Sequence, residues 1–355
     1  MKTFYCDHCN HLVFFENIQC LNCNHALGFL PNLLDLSALE PAGENAWRAL
    51  AAAAGGRSYR QCQNGSEHQI CNWLVPEGGG PFCPACQLNQ TIPDLKVAGN
   101  LERCHKMELA KRRTVYTLLK LGLPLQGREN RPALQFRFLA NTPGTPPVLT
   151  GHEHGLITLD IDEADDPERE KRRVNLHEPY RTLLGHFRHE VAHYYWELLI
   201  ADTPRLARFR ELFGDESQDY AAALKNYYDH GTPADWQTRQ VSAYASAHPW
   251  EDWAETWAHY LHIVDTIETA AGFGLALKPR HPAANSMTAD STKLAETEDS
   301  FDRILNCWLP LTAALNSLNR GMGLPDLYPF VLSAPAIEKM RFIHGTVLDI
   351  GRNAR

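Results

Sequence analysis

The chain has 355 residues, is 44% hydrophobic and carries a formal net charge of -8 at neutral pH. That length supports a substantial core in two or three domains, and the acidic balance argues against wrapping nucleic acid or docking on an anionic membrane. No run of about eighteen apolar residues occurs, and MKTFYCDHCN reaches a Cys pair before an apolar signal core fits, so a cytoplasmic protein without a membrane segment is expected.

Residues 3–5 and 12–15 read as short strands, each beside a Cys pair. Cys6-x2-Cys9 and Cys20-x2-Cys23 are two knuckles ten residues apart, and four thiolates so spaced close a tetrahedral zinc site that substitutes for a missing core. A redox CxxC, by contrast, occurs singly and opens a helix in a βαβ unit. Residues 44–54, ending in an Ala run before Gly55-Gly56, read as a helix, and a turn-rich segment follows over 59–90. It carries Cys62, Cys71, Cys83 and Cys86, the first choice for a second structural zinc, with His68, Cys104 or His105 as substitutes for one member. Nine of the ten cysteines precede residue 105, and such clustering in a reducing compartment reads as metal binding rather than disulfides. Cys104 and Cys307 are left as packed thiols. The main boundary is expected near residue 105, giving a zinc-ribbon region over 1–105 and a second domain over 106–355.

Beyond that boundary, 108–121 reads as a helix whose Lys111, Arg112 and Arg113 form a solvated face. Residues 134–139 and 156–161 are strand candidates. Helical patterns follow at 179–200, 204–213, 218–228, 249–264, 301–318 and 334–349, with 274–297 as a loop. Strands before helices in one segment point to an α+β, mostly helical domain.

The helix expected over 178–200 contains His189-Glu190-x-x-His193. Residues four apart share a helix face, so both imidazoles reach one metal while Glu190 lies beside it to hold a water. A catalytic zinc needs three protein ligands, and no third His follows His193 in YYWELLIADTP. A carboxylate from a second helix is the alternative, and HPWEDWAETWAH supplies Glu251 and Glu255 on one face behind Pro249 at the first helical position. One carboxylate binds metal while the other accepts the free ring N–H of a ligand histidine. Glu251 is taken as the ligand and Glu255 as the outer partner, with the reverse left open. Trp250, Trp253 and Trp257 imply a buried helix. His186, two turns from His193, is read as packing or cleft wall rather than as a ligand. His248 and His259 are read as either outer partners or core.

The stretches YRQCQNGSEHQICNW, FCPACQLNQTIPDL, AKRRTVYTLLKLGLPL, EPYRTLLGHFRHEVAHYYW, HPWEDWAETWAHYLHIVDT and LPLTAALNSLNRGMGLPDLYPFVL span most of the chain. Together they resemble the bacterial family of zinc-binding metallopeptidases that carry an N-terminal zinc-ribbon region. A more distant resemblance is to the lethal-factor type of gluzincin, in which a Tyr precedes the ligand Glu by seven residues and a second Glu follows it by four. Tyr244, Glu251 and Glu255 match that pattern. The resemblance implies a zincin-like domain, favours Glu251 as ligand and offers Tyr244 as an oxyanion donor. The function so implied is hydrolysis of a peptide or protein substrate by a zinc-activated water, with Glu190 as general base, one catalytic zinc and one or two structural zinc ions. Residues 156–161 are expected to offer an edge to the substrate, and the ribbon region a surface for a regulatory protein. Two other readings compete: a non-catalytic, zinc-stabilised scaffold that binds protein or nucleic acid, and a peptidase covered by its own N-terminal region. The intact Glu190 speaks against the scaffold, since a structural site needs no base beside the metal.

Overall fold

Strands β1 (Phe4–Tyr5) and β2 (Leu12–Val13) pair antiparallel around the first Cys knuckle. The two knuckles share one backbone design: Cys6 N–H donates to the His11 carbonyl and Cys20 N–H to the His25 carbonyl, both at 2.9 Å. Asn10 and Asn24 take the left-handed turn in each, at φ 57° and 61°, a conformation that Asn tolerates better than most residues. The computed structural model describes residues 1–127, 131–175, 181–294 and 300–353.

After the knuckles, β3 (Ala26–Leu30), β4 (Asp35–Gly43), β5 (Ala46–Ala49), β6 (Ser58–Gln61) and β7 (Leu74–Pro76) form an antiparallel meander in chain order. Its ends curl together, with Phe29 N–H donating to the Asn72 carbonyl at 2.9 Å. The helix expected over 44–54 is absent: those residues supply β5 and a single 3-10 turn, Ala52–Ala54. Alanine favours helix only weakly, and pairing of Trp47 with Pro41 and Tyr59 overrides that preference.

A one-turn helix α1 (Gln63–Ser66) precedes β7, and β8 (Asn89–Thr91) then leaves the cysteine-rich region to join a second sheet. There it runs parallel to β9 (Gln135–Leu139), which is parallel to β11 (Leu156–Asp160), while β10 (Gly151–Glu153) pairs antiparallel with β11 at the rim. The strand expected over 156–161 is therefore interior, and the edge belongs to β10. Helix α2 (Asn100–Lys120) begins ahead of residue 105 and crosses it. Its basic run is not a solvated face: Lys111 and Arg112 are 0% and 2% exposed, and only Arg113 reaches the surface, against Glu16. Lys111 Nζ donates to Glu108 Oε1 at 2.7 Å, and Arg112 donates to the Ile70 carbonyl.

Helices α3 (Asp166–Asn175), α4 (Leu183–Leu199), α5 (Arg205–Phe213), α6 (Tyr220–His230), α7 (Pro249–Gly272), α8 (Phe301–Gly321) and α9 (Ala334–Asn353) complete an α+β fold. The stretch expected as loop from 274 holds a small pair, β12 (Ala276–Leu277) and β13 (Ala289–Asp290), and its last residues, 295–297, lie outside the described residues. Positions 178–180 of the expected metal helix also lie outside them. Helix α4 opens where Thr182 Oγ1 accepts from Gly185 N at 3.0 Å. It packs on α7, whose Trp253 Nε1–H donates to the Ala192 carbonyl at 2.8 Å and whose Trp257 stacks on Tyr195 at 5.1 Å. Both indoles are fully buried, which pins the register between the two helices. Among the described residues no helix is long and apolar enough to cross a membrane.

Candidate metal centre

Cys6, Cys9, Cys20 and Cys23 converge, as do Cys62, Cys71, Cys83 and Cys86. The Sγ–Sγ distances are 3.6 Å for Cys6–Cys23 and Cys9–Cys20, and 3.7 Å for Cys71–Cys83. Sulfurs around a tetrahedral zinc lie about 3.8 Å apart, whereas a disulfide needs about 2.05 Å. All ten cysteines are free of disulfides. Burial and the neighbouring thiols push the Cys83 thiol well above its usual pKa, so this thiol loses its proton readily only to a cation. Both four-cysteine sets have the donor chemistry and spacing of zinc sites.

The third cluster is built by α4 and α7. His189 and His193 face α7 one turn apart, and Glu251 stands in the first turn of α7, where the helix N-terminus favours a carboxylate. Their ligand atoms lie within 4.8 Å of one another, with Glu251 Oε2 at 3.0 Å from His189 Nε2 and Oε1 at 3.8 Å from His193 Nε2. Nitrogen and oxygen ligands of a tetrahedral zinc sit about 3.3 Å apart, so these residues fit the ion. On its other side His189 Nδ1 donates to Glu255 Oε1 at 2.7 Å, and Ser242 Oγ donates to Glu255 Oε2 at 2.6 Å. Burial alone would lower the His189 pKa, but Glu251 and Glu255 raise it well above the ordinary value. Without a cation the ring needs a second proton to face both carboxylates. Burial keeps His193 low and hence neutral. Burial would raise Glu251, but His193 and His189 hold it down to about 2. The buried oxygen Glu190 Oε2 has no hydrogen-bond partner.

Residues 100–346 match the family described as "Putative zinc-binding metallo-peptidase", and residues 3–97 match a zinc-ribbon domain. The chain belongs to this metallo-peptidase family. Uncharacterized proteins of Mycobacterium bovis and of two strains of Mycobacterium tuberculosis are each 45% identical to it over 353 residues, 98% of this chain and 96% of theirs. No solved structure matches.

In this family member Tyr244 stands in a 3-10 turn ahead of α7, its ring 5.9 Å from that of His189 and 5.6 Å from that of Tyr227. Burial, then the charge of Glu251, raises its pKa, so the phenol keeps its proton and can donate it. His248 caps α7, its Nδ1 accepting from Trp250 N at 3.1 Å, and His259 sits in the core against the Tyr328 hydroxyl at 2.7 Å. Cys104 and Cys307 are buried outside both four-cysteine sets.

Three contributors escape sequence reasoning, and His186 enters it without its partners. Tyr220 from α6 donates to Glu251 Oε1 at 2.6 Å. Ser242 braces Glu255. His152 on the edge strand β10 stacks at 6.2 Å against His193, kept neutral by burial with a pKa of about 4. His186, expected as packing or cleft wall, bridges two carboxylates, with Nδ1 bonded to Glu163 Oε2 and Nε2 to Glu190 Oε1 at 3.1 Å. Tyr220, Ser242 and His152 sit at no motif spacing. Only His186, on the metal helix itself, offers a sequence signal through its i,i+4 relation to Glu190.

Proposed function

We propose that this protein is a gluzincin-type zinc peptidase in which His189, His193 and Glu251 hold the catalytic ion and Glu190 is the general base. The observation that carries this reading is the convergence of those three ligand groups beside the unpartnered, buried Glu190 Oε2. Zinc, when bound, supplies Lewis-acid chemistry, acidifying a water molecule and polarising a peptide carbonyl. Glu190 Oε2 accepts the water proton and passes it to the departing amine nitrogen. Tyr244 donates to the oxygen on which charge develops, and Glu255, braced by Ser242, fixes the His189 tautomer. The substrate is a peptide or protein segment in extended form, added to the free rim of β10, whose His152 stands beside His193. The two four-cysteine sets hold structural zinc, which makes three ions per chain. Their reduced thiols accord with a cytoplasmic location, and the ribbon region offers its surface to a regulatory protein.

The test is an unbiased peptide-library digest by the full chain, with zinc measured on the same sample. Because β8 and the start of α2 precede residue 106, removing the first 105 residues would strip the edge strand β8 from the second sheet and truncate α2, and the full chain is the protein to assay. Chelator-sensitive cleavage at amide bonds supports the reading. No cleavage by a zinc-loaded chain contradicts it and favours the scaffold or a site covered by the N-terminal region.

A further inference from the structure

The Glu190 carboxylate is asymmetric. Oε1 accepts from His186 Nε2 at 3.1 Å, while Oε2 is buried and without a partner. A terminal carboxylate torsion is broad and roughly two-fold, so a Glu held by nothing but its helix would present either oxygen in a range of directions. His186 removes that freedom, and its own ring is fixed in turn. Its Nδ1 bonds to Oε2 of Glu163, a buried residue in the turn after β11. The other Glu163 oxygen accepts from Thr150 Oγ1 at 2.9 Å, and Asp160 N donates to that same hydroxyl at 3.3 Å. Thr150 directly precedes β10. Carboxylates can only accept here, so the imidazole carries both protons and stands as a cation between two anions.

We propose that His186 and Glu163 are positioning residues for the general base: they hold Glu190 by Oε1 so that Oε2 alone faces the water, and they tie it to the strand that receives substrate. This rests on the reading of Glu190 as the base. The competing role is a buried ion pair that merely joins the turn after β11 to α4, which would affect stability without distinguishing kcat from KM.

The experiment uses full-length, zinc-loaded wild type, His186→Ala, His186→Gln, Glu163→Gln, Glu190→Gln and the His186→Ala/Glu190→Gln double variant, assayed on the best library peptide. Zinc content is expected to stay at the wild-type level throughout. His186→Ala should lower kcat about 10- to 100-fold with KM little changed. His186→Gln should recover most of that loss, because its amide N–H still reaches Glu190, and Glu163→Gln should give a smaller loss of the same kind. In the Glu190→Gln background, His186→Ala should cost nothing further. Wild-type kcat in His186→Ala, no recovery with Gln, or an equal loss in the Glu190→Gln background would each overturn the positioning role alone. A wild type that cleaves nothing overturns the peptidase reading, and the role of His186 toward a base falls with it.

Discussion

His189 lies between two carboxylates that play unequal parts. Glu251 approaches the nitrogen that faces His193, whereas Glu255 takes the opposite nitrogen and is itself braced by Ser242. Glu251→Ala should therefore lower zinc occupancy of the His189–His193 site outright, while Glu255→Ala should weaken zinc about 10- to 100-fold without emptying it. Competition with a chromophoric chelator measures both, and the opposite ranking would reverse the assignments. A second expectation concerns charge on His186. Burial would lower its pKa, but Glu163 and Glu190 raise it to about 9, and Glu163, which burial would raise, is held down to about 2. The raised His186 contributes stability that is fully present below about 6.5 and lost as pH climbs through 9. The depressed Glu163 contributes stability present above about 4.5 and lost as pH falls through 2. Ring 15N resonances of His186 should thus report double protonation at pH 7.5, and titration near 6.5 would contradict the ion-paired geometry.

At the scale of elements, α2 joins chemistry from both halves of the chain. Its Glu108, Lys111 and Arg112 are buried against the second four-cysteine set, with Glu108 Oε2 at 3.8 Å from Cys86 Sγ. A zinc tetrathiolate is an anion, and the two cations oppose it. Lys111→Met should cost about 3–5 kcal/mol of stability in denaturant unfolding, as breaking a buried charge pair does, and a loss under about 1 kcal/mol would show that the charges are not coupled. Burial of this run was not legible in the sequence, because its partners Ile70, Cys86 and Asn89 lie 22 to 42 residues away along the chain. By contrast, α4 and α7 were legible from apolar spacing, from Pro249 at the start of one helix, and from the paired positions of His189 with His193 and Glu251 with Glu255. The hairpin of β4 and β5 was not, since its alanines carry a helical signal that only the neighbouring strands defeat. Tyr220 and Ser242 reach the site through tertiary folding alone, which local spacing cannot encode.

On the scale of the molecule, the ribbon region is woven into the helical domain rather than attached to it. Strand β8 enters the second sheet, and the Met1 amine donates to the Asp265 carbonyl at 2.8 Å and to Thr269 Oγ1 at 2.9 Å on α7. Thr117 of α2 donates to the Asp265 carboxylate at 2.8 Å, linking the same three parts. The two cysteine clusters, the second sheet and helices α4 and α7 thus share one core, and we propose that this assembly activates water for peptide hydrolysis through Glu190. Glu190→Gln tests this most directly, because the amide keeps the size of the side chain and leaves His189, His193 and Glu251 in place. Zinc content and thermal stability of the full-length variant should match the wild type while turnover of the library peptide collapses. Wild-type cleavage by a zinc-loaded Glu190→Gln protein would contradict the account.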